Sequence, residues 1–233
     1  MASFTWNGQS SDDFGIILEN EAPIIRAEER VTHIIIPGRA GDLTAVDGEA
    51  EFEPYLQTVT AYIPNEQAQA VNAWMRGDGY VTFSAQPAMR QRARAISQIT
   101  QNYLSDNLGY RQADLLFYCQ PLKELITEPE TTVTFGQTMQ NDGDVTEHPT
   151  ITLTGTGSMT VSIDGLTMTV TGVTEEQGGA VIDTDGMVVT ALLTGESMTE
   201  QSIGSFPVIP VGSFAITFTG ATSCKVKRRK RWV

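Results

Sequence analysis

The most constraining stretch of the chain is the pair of short runs at 158–163 and 166–170, which flank Asp164-Gly165. Val, Ile and Thr suit the pleated, half-buried surface of a strand. An Asp-Gly pair accepts the positive φ angles that a two-residue hairpin loop demands. Runs at 181–184 and 187–190 straddle Asp185-Gly186 in the same way. Further runs at 131–135, 149–154, 213–219 and 222–228 are separated by turn chemistry at Asn141-Asp-Gly-Asp144 and by the Pro-bounded connection Phe206-Pro-Val-Ile-Pro-Val-Gly212. Short strands at near-regular spacing predict a β-sandwich for this half.

The first half is also expected to be mainly β, with one helix. Strands are expected at 4–6, 80–84, 92–99 and 111–118, with a turn at Asn7-Gly8 and an apolar run at 14–18. Residues 21–29 read as a connecting strand or an arm, Asp47-Gly48 as a turn, and 105–109 as a loop. Residues 50–63 alternate imperfectly and read as an extended, bulged strand ended by Pro64. The spacing predicts a helix over 65–76. Asn65 would cap it, Glu66 would face its positive end, and Ala68, Val71, Trp74 and Met75 would share one face before Gly77 closes it. That apolar stripe is core rather than a cofactor box.

From about Thr127 onward Thr, Gly and Val dominate, so the expected domains are 1–126 and 127–233. A chain of 233 residues can bury one large or two small cores. No run approaches the roughly 18 apolar residues of a membrane span, and Met1-Ala-Ser-Phe-Thr lacks the regions of a signal peptide, so folding in the cytoplasm is expected.

The net charge of −13 is unevenly spread. Lys and Arg are absent from Glu124 through Cys224, a stretch with thirteen Asp or Glu, and then Lys225, Lys227, Arg228, Arg229, Lys230 and Arg231 crowd the end. A nucleic-acid arm is one reading. A basic end that pairs with the chain's own acidic body, or with a neighbouring subunit, is favoured, because so acidic a body repels phosphate.

No catalytic constellation is present. Gly155-Thr-Gly157 lacks the third Gly of a dinucleotide fingerprint, and Gly195-Glu-Ser-Met-Thr199 lacks the closing Gly of a nucleophile elbow. Asp183-Thr-Asp-Gly186 opens like a calcium loop but meets Thr194 at position 12. The adjacent acids Asp12-Asp13 and Glu28-Glu29 read as solvated. Cys119 and Cys224, like His33 and His148, lie far apart, so buried reduced thiols are expected and neither a disulfide nor a metal site. The chain is expected to be no enzyme and to need no cofactor.

One further stretch is dense in β-branched residues. Residues 31–36 read as a strand, Pro37-Gly38 breaks it, and Arg39, Gly41 and Asp42 follow on a loop with one cation and one anion. Taken alone, this loop reads as a solvated turn.

Read together, the motifs say more. Phe4-Thr-Trp-Asn-Gly8, Ser10-Ser-Asp-Asp-Phe-Gly-Ile-Ile-Leu18 and Ile36-Pro-Gly-Arg-Ala-Gly-Asp-Leu43 come in the order of the opening of the siphophage distal tail protein (Dit) family, which the chain resembles. The family usually carries Asp where Ala40 stands. Phe117-Tyr-Cys-Gln-Pro121 is similar to the strand that ends the family's first domain. Asn141-Asp-Gly143, His148-Pro-Thr-Ile151, Gly155-x-Gly157, the two Asp-Gly pairs and Phe206-Pro-x-x-Pro-x-Gly212 resemble its second, a galectin-like β-sandwich.

The resemblance implies a structural protein. Its ring-forming β-rich first domains would close a hexameric hub ring around a channel, with the sandwiches outside. The ring would stand between the tail-tube protein and the tail-tip hub, or baseplate, of a long-tailed phage or prophage. DNA would only pass through, no membrane would be involved, and the protein would reside at the virion's tail tip after assembly in the host cytoplasm. The candidate interface residues are Arg39, Gly41 and Asp42, with Phe14, Lys227, Arg228 and Arg229. The alternative is a carbohydrate-binding adhesin for host-surface attachment. Against it, residues 124–224 hold no Trp, Tyr or Arg with which to stack and hold a sugar.

Overall fold

The computed structural model describes residues 2–46, 51–104, 109–128 and 130–233. The Asp47-Gly48 turn and most of the 105–109 loop therefore lie outside the described residues. The chain divides into two compact units, Met1–Ile126 with Val233, and Thr127–Trp232. Each has its own hydrophobic core. The architecture is mainly β, with a single short α-helix among the described residues.

In chain order the first unit carries β1 (Phe4–Trp6), β2 (Gln9–Ser10), β3 (Ile17–Leu18), β4 (Val31–Ile34), β5 (Leu43–Val46), β6 (Tyr55–Pro64), α1 (Ala68–Trp74), β7 (Gly77–Phe83), β8 (Met89–Ala95), β9 (Gln101–Tyr103) and β10 (Tyr110–Leu125). The main sheet is antiparallel, in the order β2-β1-β7-β8-β10-β6-β3, and β9 also pairs with β10. The long β10 is its spine. It pairs with β6 from Tyr110 to Cys119 and with β8 from Phe117 to Leu125, with a register shift between Cys119 and Lys123. Pro121 falls inside that shift, where its missing N–H removes no ladder bond.

Ala113, Leu115, Phe117 and Cys119 of β10 face inward and are buried. β6 explains its own imperfect alternation. Gln57, Val59, Ala61 and Ile63 are buried, while Leu56 stands exposed on the outer face, so one polar and one apolar residue are exchanged. Residue 52 lies outside β6 and makes only an isolated bridge, Phe52 to Glu29.

The helix is shorter than the spacing predicts. A 3-10 turn, Asn65–Gln67, precedes α1. Asn65 sits inside that turn with no capping hydrogen bond, and its Oδ1 is buried without a partner. Pro64, directly before it, takes the flanking position and leaves Asn65 no room to act as a cap. Gly77 opens β7 rather than closing the helix. The apolar stripe is core as expected, with Val71 and Met75 fully buried. Trp74 stacks on Phe4 at 5.5 Å, and Phe117 meets Phe4, Trp6 and Phe83 at 5.3–5.8 Å.

The second unit carries β11 (Glu130–Val133), β12 (Gln137–Asn141), β13 (Thr150–Thr154), β14 (Gly157–Ile163), β15 (Leu166–Val173), β16 (Gly179–Asp183), β17 (Val188–Ala191), β18 (Ser202–Gly204), β19 (Gly212–Thr219) and β20 (Ser223–Lys227). They form two five-stranded antiparallel sheets, β11-β20-β13-β16-β17 and β12-β19-β14-β15-β18. Ile151, Leu153, Ile182 and Val226 of one sheet share a core with Met159, Val161, Val170 and Ile216 of the other. This is a sandwich.

Asp164 (φ 45°) and Gly165 (φ 88°) make the two-residue hairpin loop joining β14 to β15. The second Asp-Gly pair behaves differently. β16 and β17 pair at Asp183–Val188, leaving a four-residue loop. Its Asp183 Oδ1 accepts from the N–H groups of Asp185 (3.2 Å) and Gly186 (3.4 Å), and the positive φ falls on Met187. The Asp183 side chain organises the turn, so the Asp-Gly pair does not.

Candidate functional site

β4 and β5 form a sheet of their own, apart from the main one, with Val31 opposite Val46 and Ile34 opposite Leu43. Below them the two legs stay together through the Glu29–Phe52 bridge. Backbone bonds run from Arg30 N–H to Glu51 O and from Glu53 N–H to Glu28 O, both 2.8 Å. The Arg30 guanidinium reaches Glu53 (2.7 Å) and Glu51 (3.2 Å). These ion pairs lie in water, which screens them, so they guide the stem more than they stabilise it.

The root of this arm is fixed more firmly. The Ile25 carbonyl accepts from the buried Lys123 ammonium at 2.6 Å. The Tyr55 hydroxyl, 3.5 Å from the same carbonyl, donates its proton to Gln91 Oε1 at 3.0 Å, and burial pushes its phenol up to about 12. Tyr55, Gln57, Gln91 and Lys123 line a cavity of about 20 Å³, into which the Gln57 amide brings an Nε2 without a protein partner. That is room for one water. Residues 21–29 thus serve as the arm's anchor rather than as a strand.

Nothing among the described residues of the unit covers the arm itself. Ile34, Ile35, Ile36, Leu43 and Val46 are all exposed, Ile35 to 78%. A two-stranded ribbon is marginal in water by itself, and a contiguous exposed apolar surface marks an interaction site. At its tip Gly38 (φ 85°) and Gly41 (φ 82°) take left-handed conformations that side chains resist. Between and beside them stand Arg39 and Asp42, neither with a side-chain partner among the described residues. Sequence reasoning found the loop and the first strand, read as 31–36, but missed the second strand that pairs with it. The signal was there: a second short β-prone run, residues 43–46, mirrors 31–34 across the Pro-Gly break.

The other candidates lie elsewhere. Phe14 ends a 3-10 turn, Ser11–Phe14, held by a capping box in which Ser10 N–H donates to Asp13 Oδ2 at 3.1 Å. Its ring lies 4.5 Å from Trp74, covering α1 within its own unit. Asp13 is therefore a capping group.

The basic end of the second unit turns back on that unit's acids. Arg228 is buried with Glu147, donating through Nε at 2.9 Å and through Nη2, while Nη1 donates to Gln140 O at 2.9 Å and the guanidinium lies 5.4 Å from the Phe214 ring. Arg229 holds Asp185 (2.6 Å) and Asp183 (3.4 Å), so cations of the chain itself occupy the loop that opens like a calcium site. Lys230 holds Asp142 at 2.6 Å, which lowers that carboxylate's pKa. Lys227 is exposed, with no side-chain partner among the described residues. Among the described residues no three His, Cys, Asp or Glu are grouped to hold a metal, and no helix is long and apolar enough to cross a membrane.

No protein-family model matches the sequence, and no curated protein does. Among solved structures the chain is similar to the SPP1 Dit protein, whose crystal structure presents it as a paradigm of the hub adsorption apparatus in phages infecting Gram-positive hosts. The TM-score is 0.80 over 100% of both chains, at 17% sequence identity. The likeness shows that the chain has a Dit fold from end to end.

Proposed function

We propose that this chain is a distal tail protein of a long-tailed phage or prophage, a structural component of the hub at the tail tip. The observation that carries the reading is the end-to-end likeness to SPP1 Dit, both units included. The ordered motifs of the first unit support it independently of that fold. In this reading six copies close a ring through their first units. The ring joins the tail tube on one face and the tip hub on the other, and it reaches the virion after assembly in the host cytoplasm.

The uncovered arm supports self-assembly. Its apolar ribbon needs a partner, and the Arg39, Gly41 and Asp42 tip offers charges of both signs on a backbone held open by glycine. A ring needs two different complementary patches per subunit, and an arm supplies one of them. A net charge of −13 suits a channel that passes DNA without holding it.

Sedimentation of the purified chain tests this. A particle near six times 25.3 kDa is expected, with six-fold order in electron micrographs. A chain that stays monomeric at high concentration would overturn the ring.

A further inference from the structure

We propose that the arm of one copy seats on the outer face of the main sheet of the next copy, with Asp42 of the arm facing Arg92 of the sheet. This rests on the ring reading above and names the surface that receives the arm.

The outer face is built by strand register. Asp78 of β7, Arg94 of β8, Tyr118 of β10 and Leu56 of β6 stand side by side in one row across four strands, and Tyr80 lies opposite Arg92 in a neighbouring row. Leu56, Tyr80 and Tyr118 are each 40–49% exposed. Tyrosine and arginine on a flat, partly apolar floor are the composition of a binding surface rather than of ordinary wet sheet.

Most charges of this face are matched, Asp114 by the Thr60 hydroxyl alone at 2.7 Å, and the one unmatched cation is informative. Arg94 pairs with Asp78 at 3.1 Å. Arg90 pairs with Glu124 at 2.8 Å and lies 4.3 Å from the Tyr80 ring centroid. Arg92, between them on the same strand face, has no carboxylate among the described residues. The face therefore offers an apolar floor with one unspent cation. The arm offers an apolar ribbon whose tip carries an unpaired anion, Asp42, beside the unpaired cation Arg39.

Both surfaces are exposed in the single chain, so the arm does not fold back onto its own sheet. Arm and face are different patches, and a contact between them runs head to tail, the kind that closes rings. A second copy of this chain is the occupant that carries both halves of the match.

Charge exchange in the full-length chain tests the contact. Arg92→Glu and Asp42→Arg are each expected to weaken self-association about tenfold, and the two combined to restore most of it. Arg92 and Asp42 are exposed, so circular dichroism should show the fold unchanged. As a second measurement, a mixture of Asp42→Cys and Arg92→Cys chains should form a disulfide-linked dimer under mild oxidation. The native Cys119 and Cys224 are buried and stay silent.

If Arg92→Glu assembles normally while Ile35→Asp does not, the arm still builds the ring and its receiving surface lies elsewhere, which overturns this contact alone. Weakening by both single changes with neither rescue nor cross-link overturns it too. A wild-type chain that never associates overturns the contact and the ring together.

Discussion

The two units differ in how their prominent charges are met, although both expose large apolar side chains, Leu193 and Ile203 in the second as well as Ile35 in the first. In the second, the basic end is folded back on its own acids: Arg228 on Glu147, Arg229 on Asp183 and Asp185, Lys230 on Asp142, Lys225 on Glu130. In the first, five large apolar residues of the arm stand in water, and the side chains of Arg39, Asp42 and Arg92 have no partners among the described residues. The difference teaches that the second unit spends most of its basic end on its own acids, whereas the arm of the first keeps a cation and an anion open at its tip.

The largest effects should separate the units by stability. Glu147→Ala leaves the Arg228 guanidinium buried without its counter-ion and should cost the second unit about 3–5 kcal/mol. Phe117→Ala opens the aromatic core of the first unit and should cost about 3–5 kcal/mol there. Calorimetry should show each change lowering one transition and sparing the other. A common shift would break the comparison.

Next comes a change with no stability cost. Ile35→Asp should leave both transitions in place yet remove about 1.5–3 kcal/mol from each arm contact, or roughly 10–100-fold in association. Sedimentation equilibrium against concentration reads this directly.

The cysteines sharpen the contrast further, because each core holds one. Burial pushes both Cys119 and Cys224 up from 9.0 to about 12. Neither thiol should react with a disulfide reagent at pH 8 in the folded chain, and under rising denaturant each should report the opening of its own unit. Because the folded values are raised, the stability linked to them is fully present below about pH 9. It is lost as the pH climbs toward about 12, so alkaline unfolding should accelerate across that window. The smallest effect is expected at Lys225→Met. Its partner Glu130 is half exposed, so the loss should be no more than about 1 kcal/mol and should shrink in salt.

The sandwich was largely legible in the sequence, because Val, Ile and Thr alternation and Asp164-Gly165 act locally. What escaped was set by distant contacts. β12 and β18 carry too few apolar residues to stand out, and they exist because β19 and β15 offer free edges. Leu56 and Gln57 read as reversed because one stands on the exposed outer face and the other lines a polar cavity. Asn65 has the chemistry of a cap, but the chain enters α1 through a 3-10 turn that places it wrongly. Arg39, Gly41 and Asp42 were found by motif order. The strand read over 31–36 is there as Val31–Ile34, but its exposure was not foreseen, since three consecutive isoleucines ordinarily signal burial.

The arm has a consequence for how the protein must be handled by the cell that makes it. A newly released subunit carries a greasy finger with open strand edges, the same combination that lets misassembled chains clump. Its time alone is therefore a hazard that grows with its abundance. Production in small amounts would protect a protein whose adhesive part stands bare in the single chain.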